Sequence, residues 1–287
     1  LLRKQVLGIF PSKNDRNMTT NGQTWLYFYM TLCIILHILM LSYSKVDITY
    51  GIILFASSIV NSVCGAFGHN GVHKLHYSSF LLDWNGLSAY EWLLEHCHSH
   101  HMYVNTKHDH DAISMEPFLN WIQRDKKSLF GSHGKHIIYL IGEISVAIQG
   151  TFGHKVRWSI LFNKKFPWFL RFGPIIFIIR VFSHIIFQGI LFGIISHLSC
   201  LAIAGYYFSS LAHLNHANPN ANQNTLVHKD FLKHQLSNTI DIKVNNKLSH
   251  LFLYLDRQTL HHLFPVIDHS KLNDVRLQNI KKEYYNK

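Results

Sequence analysis

Residues 24–43 read TWLYFYMTLCIILHILMLSY, a run of 20 residues without a formal charge. A helix that crosses the hydrocarbon core of a bilayer needs about 20 predominantly apolar residues. A second run of 20 uncharged residues spans 48–67, and only four residues separate the two runs. The pair predicts a transmembrane helical hairpin, and we expect an all-α integral membrane protein.

The composition of the whole chain agrees with a membrane location. It is 48% hydrophobic and 15% charged, whereas soluble domains carry about 25% charged residues. The formal net charge of +11 is compatible with binding either to nucleic acid or to an anionic membrane surface. The long apolar runs favour the membrane. The four cysteines have no CxxC spacing, which argues against a disulfide framework and against a zinc site. We expect the lipid bilayer as a partner and no nucleic acid.

A second apolar block runs from 172 to 212 and is interrupted by Arg180. Its 41 residues are enough for a second hairpin, which gives about four transmembrane helices in two hairpins with a cytoplasmic helical cap. Basic residues precede the first run and follow the second, so the positive-inside rule places the N-terminus and the residues after 67 in the cytoplasm. The shorter apolar segment 137–153 contains Glu143 and predicts an interfacial or re-entrant helix.

Residues 95–105, EHCHSHHMYVN, contain four histidines in six positions. On an α-helix His96 and His100 lie four residues apart on one face, and His101 lies about one step further round. His98 points roughly 200° away from His96 by the same geometry. The stretch therefore contains three candidate ligands and one histidine that faces elsewhere.

The same spacing occurs in other clusters of the chain. A lone pair of histidines four residues apart is more often surface decoration than a site. Here the repeated arrangement, always at the cytoplasmic end of a predicted membrane helix, favours one common site. The further clusters are His69 and His73, then Gln258, His261 and His262, with His213 and His216 as candidates just past the last apolar run.

The number of converging imidazoles indicates the kind of metal site. One zinc ion takes four ligands, so eight or so imidazoles fit two transition-metal ions better, and imidazole is a suitable ligand for iron. In KHDHD, residues 107–111, His108 and His110, with Asp109 and Asp111, are possible hydrogen-bond partners of the ligands, and His108 and Asp109 are possible ligands themselves. A ligating imidazole usually donates its other N–H to such a group. The alternative is a solvated loop.

The motifs HxxxH, HxxxHH and QxxHH, the last followed by LFP at 263–265, resemble the three histidine boxes of the membrane fatty acid desaturases. Gln258 in place of a histidine resembles the last box of front-end desaturases that are fused to cytochrome b5. The stretches HDHDAISMEPFLNW, 108–121, and HHLFPVIDHSKL, 261–272, resemble most the insect cytochrome b5-related proteins, a desaturase-like family.

This resemblance implies which residues bind metal. No catalytic side chain is expected beyond the metal ligands. His213, in SSLAHLNH, resembles the additional histidine that these enzymes place after their last span, and His216 is the competing choice. Gln258 is a weaker or water-mediated ligand, where we would expect a histidine in the insect proteins. The implied ligands are His69, His73, His96, His100, His101, His213, His261 and His262.

The resemblance also implies the reaction. We expect a fatty acid desaturase that introduces a cis double bond into a lipid acyl chain, on coenzyme A or on a lipid, with O2 as co-substrate and two non-heme iron ions. Electrons would come from the heme of cytochrome b5 and its NAD(P)H-dependent reductase. The location would be the endoplasmic reticulum membrane, with several spans and the active site facing the cytoplasm. The alternatives are a lipid hydroxylase on the same iron site and a non-catalytic desaturase-like membrane protein.

These expectations divide the chain into three parts. Residues 1–23 form a cytoplasmic N-terminal segment, which we expect to be truncated after a cytochrome b5 domain, since the chain starts LLRKQ without an initiator Met. Residues 24–275 form the membrane fatty acid desaturase domain, and residues 276–287 form a C-terminal tail.

Overall fold

The structure is a computed structural model that describes residues 2–113, 160–216, 230–252 and 254–285. Every regular element in these ranges is helical. The predicted interfacial segment 137–153 lies outside the described residues. The α-helices are α1 Leu2–Ile9, α2 Thr20–Leu41, α3 Ile48–Lys74, α4 Phe80–Trp84, α5 Ala89–Trp92, α6 His101–Tyr103, α7 His110–Ile113, α8 Trp168–Arg171, α9 Gly173–Gln188, α10 Ile190–His216, α11 Phe231–Asn238, α12 Gln258–Leu263 and α13 Val275–Tyr285, with a π-helix at Leu93–His100 and short 3₁₀ turns.

Both predicted apolar runs form helices, α2 and α3, and each helix has more residues than its run. Helix α2 begins at Thr20, because the Thr19 hydroxyl caps it by accepting a hydrogen bond from the Gly22 N–H. Helix α3 is capped in the same way by Asp47, whose carboxylate accepts from the Tyr50 N–H. It continues to Lys74, seven residues beyond the predicted end at 67. This extension carries His69 and His73 out of the apolar region on a rigid helix.

Helix α3 lies at the centre of the bundle, between α2 and α10. The described residues contain three helices long and apolar enough to cross a membrane, namely α2, α3 and α10. The small side chain of Ser62 lets α3 approach α10 closely. The Ser62 hydroxyl donates to the Ala204 carbonyl of α10 at 2.7 Å. Small residues at such contacts are typical of helix packing in membranes.

The second apolar block forms two helices, α9 and α10, that meet at Gly189. The φ of Gly189 is +82°, a left-handed conformation that glycine adopts without strain. Gly193 allows the two helices to touch, because a Cβ there would lie 2.4 Å from the His184 carbonyl oxygen. Helix α9 has 16 residues and is shorter than the three long helices.

The arginine and the histidines in the middle of the apolar helices are buried against protein. Arg180 is fully buried, donates to the Trp84 carbonyl, and approaches the Cys200 sulfur at 3.2 Å. His37 bonds to the Ser183 hydroxyl at 3.0 Å. Ionisable residues inside a membrane bundle generally face its interior in this way. These contacts connect α9 to α2, α4 and α10.

The expected C-terminal tail contains helix α13, which packs onto α1. Leu277 of α13 is fully buried in a small apolar core together with Val6 and Phe10. The segment between α12 and α13 joins this core, since Ile267 and Leu272 are buried in it. The two ends of the chain therefore meet beside the helices that carry the last histidine cluster.

Candidate metal centre

The histidine clusters converge at one end of the long helices. Helix α3 contributes His69 and His73 from its last turns, and α10 contributes His216 as its final residue. The π-helix and α6 contribute His96, His100 and His101, and α12 contributes His261 and His262. Every one of these side chains except the half-buried His73 is buried.

The stretch EHCHSHH folds differently from the α-helix used to interpret it. Residues Leu93–His100 form a π-helix, whose hydrogen bonds run from residue i to i+5. This wider turn brings His96 and His101, five residues apart, to 3.1 Å between their Nε2 atoms. His98 is exposed, whereas His96, His100 and His101 are buried. Burial thus separates His98 from the other three histidines, as the spacing predicted, but the helical geometry is a different one.

Five histidines form the larger of the two groups that consist of histidines alone. One ring nitrogen from each lies within 4.8 Å of the others. The Nε2 of His69 is 2.8 Å from the Nε2 of His96 and 3.1 Å from that of His73. The Nε2 of His261 is buried and has no hydrogen-bond partner in the described part of the chain. The members of this five-histidine group are His69, His73, His96, His101 and His261.

The smaller group contains His100, His216 and His262, again with ring nitrogens within 4.8 Å of one another. The side chain of Gln258 lies beside this three-histidine group, with its Nε2 at 2.9 Å from the Nε2 of His216. The Oε1 of Gln258 and the Nε2 of His262 are buried without a partner among the described residues. Gln258 is therefore in contact with the centre.

The outer ring nitrogens are held by polar partners. The Nδ1 of His96 lies 2.7 Å from Asp111, and the Nδ1 of His100 lies 3.0 Å from both oxygens of Asp109. The Nδ1 of His262 lies 3.0 Å from the Oε1 of Gln235. An acceptor at Nδ1 fixes the proton on that nitrogen, so the Nε2 lone pair faces inward.

Two further partners were not found by sequence reasoning. The Nδ1 of His261 lies 3.0 Å from the Nε2 of His269, and the Nδ1 of His73 lies 3.3 Å from the sulfur of Cys97. Gln235 was missed as well. No spacing in the sequence connects these residues with the ligands, although the HDHD motif does indicate Asp109 and Asp111.

Burial keeps most of the imidazoles neutral. It lowers the pKa of His96, His101, His261 and His262 well below the usual value, and the neighbouring histidines lower it further. Burial also lowers the pKa of His100, but the charge and hydrogen bond of Asp109, with Asp111, outweigh it and raise the pKa to about 9. Neutral imidazoles offer lone pairs to a metal, and the carboxylates supply negative charge beside them.

The donor set fits two metal ions. Imidazole suits iron and other first-row transition metals, and two separate groups of inward nitrogens provide two coordination sites. The inward Nε2 atoms of His261 and His262 are buried without a protein partner among the described residues, as expected of ligands. The cluster is therefore compatible with a di-iron centre.

The structure places most of the predicted site residues together. All of the predicted histidines except His213 lie in one of the two groups. His213 is half-buried and belongs to neither group in the described ranges, while His216, one turn later, lies in the three-histidine group. The reason is that α10 continues unbroken to 216. His108 is exposed and contributes its backbone carbonyl to Ser99 rather than its ring.

Comparison with known proteins agrees with this geometry. The model of one family, described as fatty acid desaturase, matches residues 47–286. Comparisons with curated proteins and with solved structures give no significant match. The family match covers most of the chain and includes every histidine of both groups. The chain belongs to the fatty acid desaturase family.

Proposed function

We propose that this protein is an O2-dependent acyl desaturase that forms a cis double bond in a membrane lipid chain. The family match and the histidine cluster together support an oxidoreductase of the desaturase or hydroxylase type. They also support a membrane location and a lipid substrate. The observation that carries the proposal is the two groups of buried histidines at the ends of long apolar helices. That position brings a metal centre to the depth at which an acyl chain can reach it.

The two histidine groups would hold two iron ions. The proposed ligands are His69, His73, His96, His101 and His261 on one side and His100, His216 and His262 on the other, with Gln258 as a weak or water-mediated contact. When bound, the iron ions supply the O2-dependent oxidation of an unactivated C–H bond, which no protein side chain performs.

The chain's own residues orient the ligands and exclude water. Asp109 and Asp111 hold protons at the Nδ1 atoms of His100 and His96. Trp92 stacks on the His96 ring at 5.1 Å, and Phe208 packs edge-on against Trp92 at 5.9 Å. These two aromatic rings form an aromatic wall beside His96. Aromatic rings at this position suit a hydrocarbon substrate.

A small cavity lies beside Phe208 of this aromatic wall, at the contact between α3 and α10. It is lined by mostly small residues of α3 and α10 and by Phe208. We propose that the acyl chain approaches the centre along this α3 and α10 contact, where four of the seven lining residues are serine, glycine or alanine. The lining residues are Ser62, Gly65, Asn85, Leu87, Ala204, Gly205 and Phe208.

The remaining parts of the proposal rest on resemblance to the family. Electrons would come from cytochrome b5 and its NAD(P)H-dependent reductase, at the cytoplasmic face of the endoplasmic reticulum. Helix α9 would complete a fourth crossing, so that α9 and α10 form a second hairpin. Gln258 supports a likeness to front-end desaturases and leaves the non-catalytic alternative open to test.

Expression in a desaturase-deficient yeast followed by fatty-acid profiling tests the proposed reaction. We expect a new acyl product that is two hydrogens lighter than its precursor in cells with the wild-type chain and in cells with His98→Ala. Cells with His100→Ala should lack it. A product with added oxygen mass would instead identify a hydroxylase. Purified wild-type protein without iron, and cells without a new lipid, would favour the non-catalytic alternative.

A further inference from the structure

His269 is a buried histidine outside the three sequence clusters. It lies in the segment between α12 and α13 and is 3% exposed. Its Nε2 is 3.0 Å from the Nδ1 of His261, and its ring centre is 5.5 Å from that of His69. His269 therefore contacts the five-histidine group from behind a proposed ligand.

The direction of this hydrogen bond follows from the role of His261. The Nε2 of His261 faces the group, so its lone pair can bind metal only if the ring proton is on Nδ1. That N–H faces the Nε2 of His269, the atom at hydrogen-bond distance, which must then accept it. The proton of His269 lies on its own Nδ1, which is buried without a hydrogen-bond partner in the described part of the chain.

A network of side chains fixes the position of His269. The carboxylate of the preceding residue, Asp268, accepts hydrogen bonds from the Asn70 amide at 2.7 Å and from the Lys74 ammonium group. The backbone N–H of His269 also points to the Asn70 Oδ1, at 3.4 Å. Asn70 lies on α3 between His69 and His73. One rigid helix thus carries two proposed ligands and the anchor of His269.

The same segment is connected to the start of the bundle. The backbone N–H of Asp268 donates to the Arg16 carbonyl at 2.9 Å, and the Ser270 hydroxyl accepts from the Thr19 N–H at 3.0 Å. Gly22 packs against this serine, since a Cβ at 22 would lie 2.8 Å from the Ser270 Cβ. The loop bearing His269 is therefore held from two sides, which makes it a firm support for a ligand.

We infer that His269 is a positioning residue of the metal centre: it accepts the Nδ1–H of His261 and holds that ring with Nε2 toward the five-histidine group. This inference rests on the proposed metal centre but not on the proposed reaction. His96 and His100 have carboxylates behind them, whereas His261 has a neutral imidazole. The role resembles that of other hydrogen-bond partners of metal-ligating histidines, whose loss typically weakens metal affinity about 10–100-fold.

The test compares metal retention in four purified full-length proteins in detergent. Fe²⁺ per chain and the rate of iron loss to a chelator are measured for wild type, His269→Phe, His269→Gln and the control His250→Phe. His250 is a buried histidine that stacks on Trp25, at 4.2 Å between ring centres, away from the two groups. We expect His269→Phe to lose iron about 10–100-fold faster, His269→Gln to retain it because its carboxamide oxygen can accept, and His250→Phe to match wild type.

A third variant of His269 distinguishes loss of the hydrogen bond from a general packing effect. His269→Asn is polar but too short to reach His261, so it should lose iron like His269→Phe while its thermal unfolding without metal stays near wild type. Wild-type iron retention in His269→Phe and His269→Asn would overturn the inference, as would equal loss from His250→Phe. Failure of the wild-type chain to bind Fe²⁺ or Co²⁺ would overturn it too. Iron binding without any desaturated product would refute the proposed reaction alone.

Discussion

The Nδ1 of His100 lies 3.0 Å from both carboxylate oxygens of Asp109, and both side chains are buried. Asp109 also accepts from the backbone N–H of Asn105 at 2.8 Å and from that of Ala112 at 3.2 Å. One carboxylate therefore closes the loop after α6 and orients an imidazole of the three-histidine group. The Asp109 side chain therefore serves both the loop and the orientation of His100.

We expect Asp109→Asn to lower metal affinity about 10–100-fold, because the amide no longer places a negative charge behind His100. Iron per chain after dialysis against a chelator measures the change. Asp274→Asn is the matched control, since Asp274 pairs with Arg276 near the C-terminus. The prediction is wrong if the two variants retain the same amount of iron.

His98 should be dispensable, and His100 should not. The side chain of His98 is exposed and that of His100 is buried in the three-histidine group. His98→Ala should keep wild-type iron content and lipid product, while His100→Ala should lose both. Iron analysis of the two purified proteins checks this. Equal loss would mean that the π-helix presents a different face to the metal.

Iron analysis and lipid profiling of single alanine variants can also show which of His216 and His213 binds metal. His216 lies 4.7 Å from both His100 and His262 between ring centres, whereas His213 lies in neither group of the described residues. We expect His216→Ala to lose iron and activity and His213→Ala to keep most of both. The reverse result would favour the choice suggested by the motif SSLAHLNH over the geometry.

Gln258 should tolerate histidine but not leucine. Gln258→His adds an imidazole beside His216, and iron should remain at about two per chain, the number of sites that the two groups provide. Gln258→Leu leaves buried polar atoms without their partner, at a cost of about 1–3 kcal/mol. The activity of this variant should therefore fall well below that of wild type and of Gln258→His. If the Gln258→Leu protein contains iron and is as active as wild type, the side chain at position 258 does not contribute to the metal site.

The proposed topology places both histidine groups on the cytoplasmic side. Single cysteines at Lys164 and Lys247, both exposed, should be labelled by an impermeant thiol reagent from the cytoplasmic face. A cysteine at Lys45, in the turn between α2 and α3, should be labelled from the opposite face. Labelling of positions 164 and 247 from different faces would contradict the arrangement.

Local patterns in the sequence determined the membrane helices and most of the site. The runs at 24–43 and 48–67 form α2 and α3, because apolar length and the absence of charge are properties that a segment carries by itself. The spacing of His69 and His73 shows which rings share a face, because α3 is regular to its end. The histidine content and spacing predicted a metal site, and the structure brings these histidines into a cluster that is compatible with one.

The tertiary structure decided what depends on packing between distant segments. The π-helix that pairs His96 with His101 breaks the 3.6-residue period, so periodicity could not reveal it. The choice of His216 over His213 depends on where α10 ends and on what faces its last turn. The partners behind the ligands, His269 and Gln235, have no motif, because a hydrogen bond between side chains requires only that the fold bring two atoms within reach.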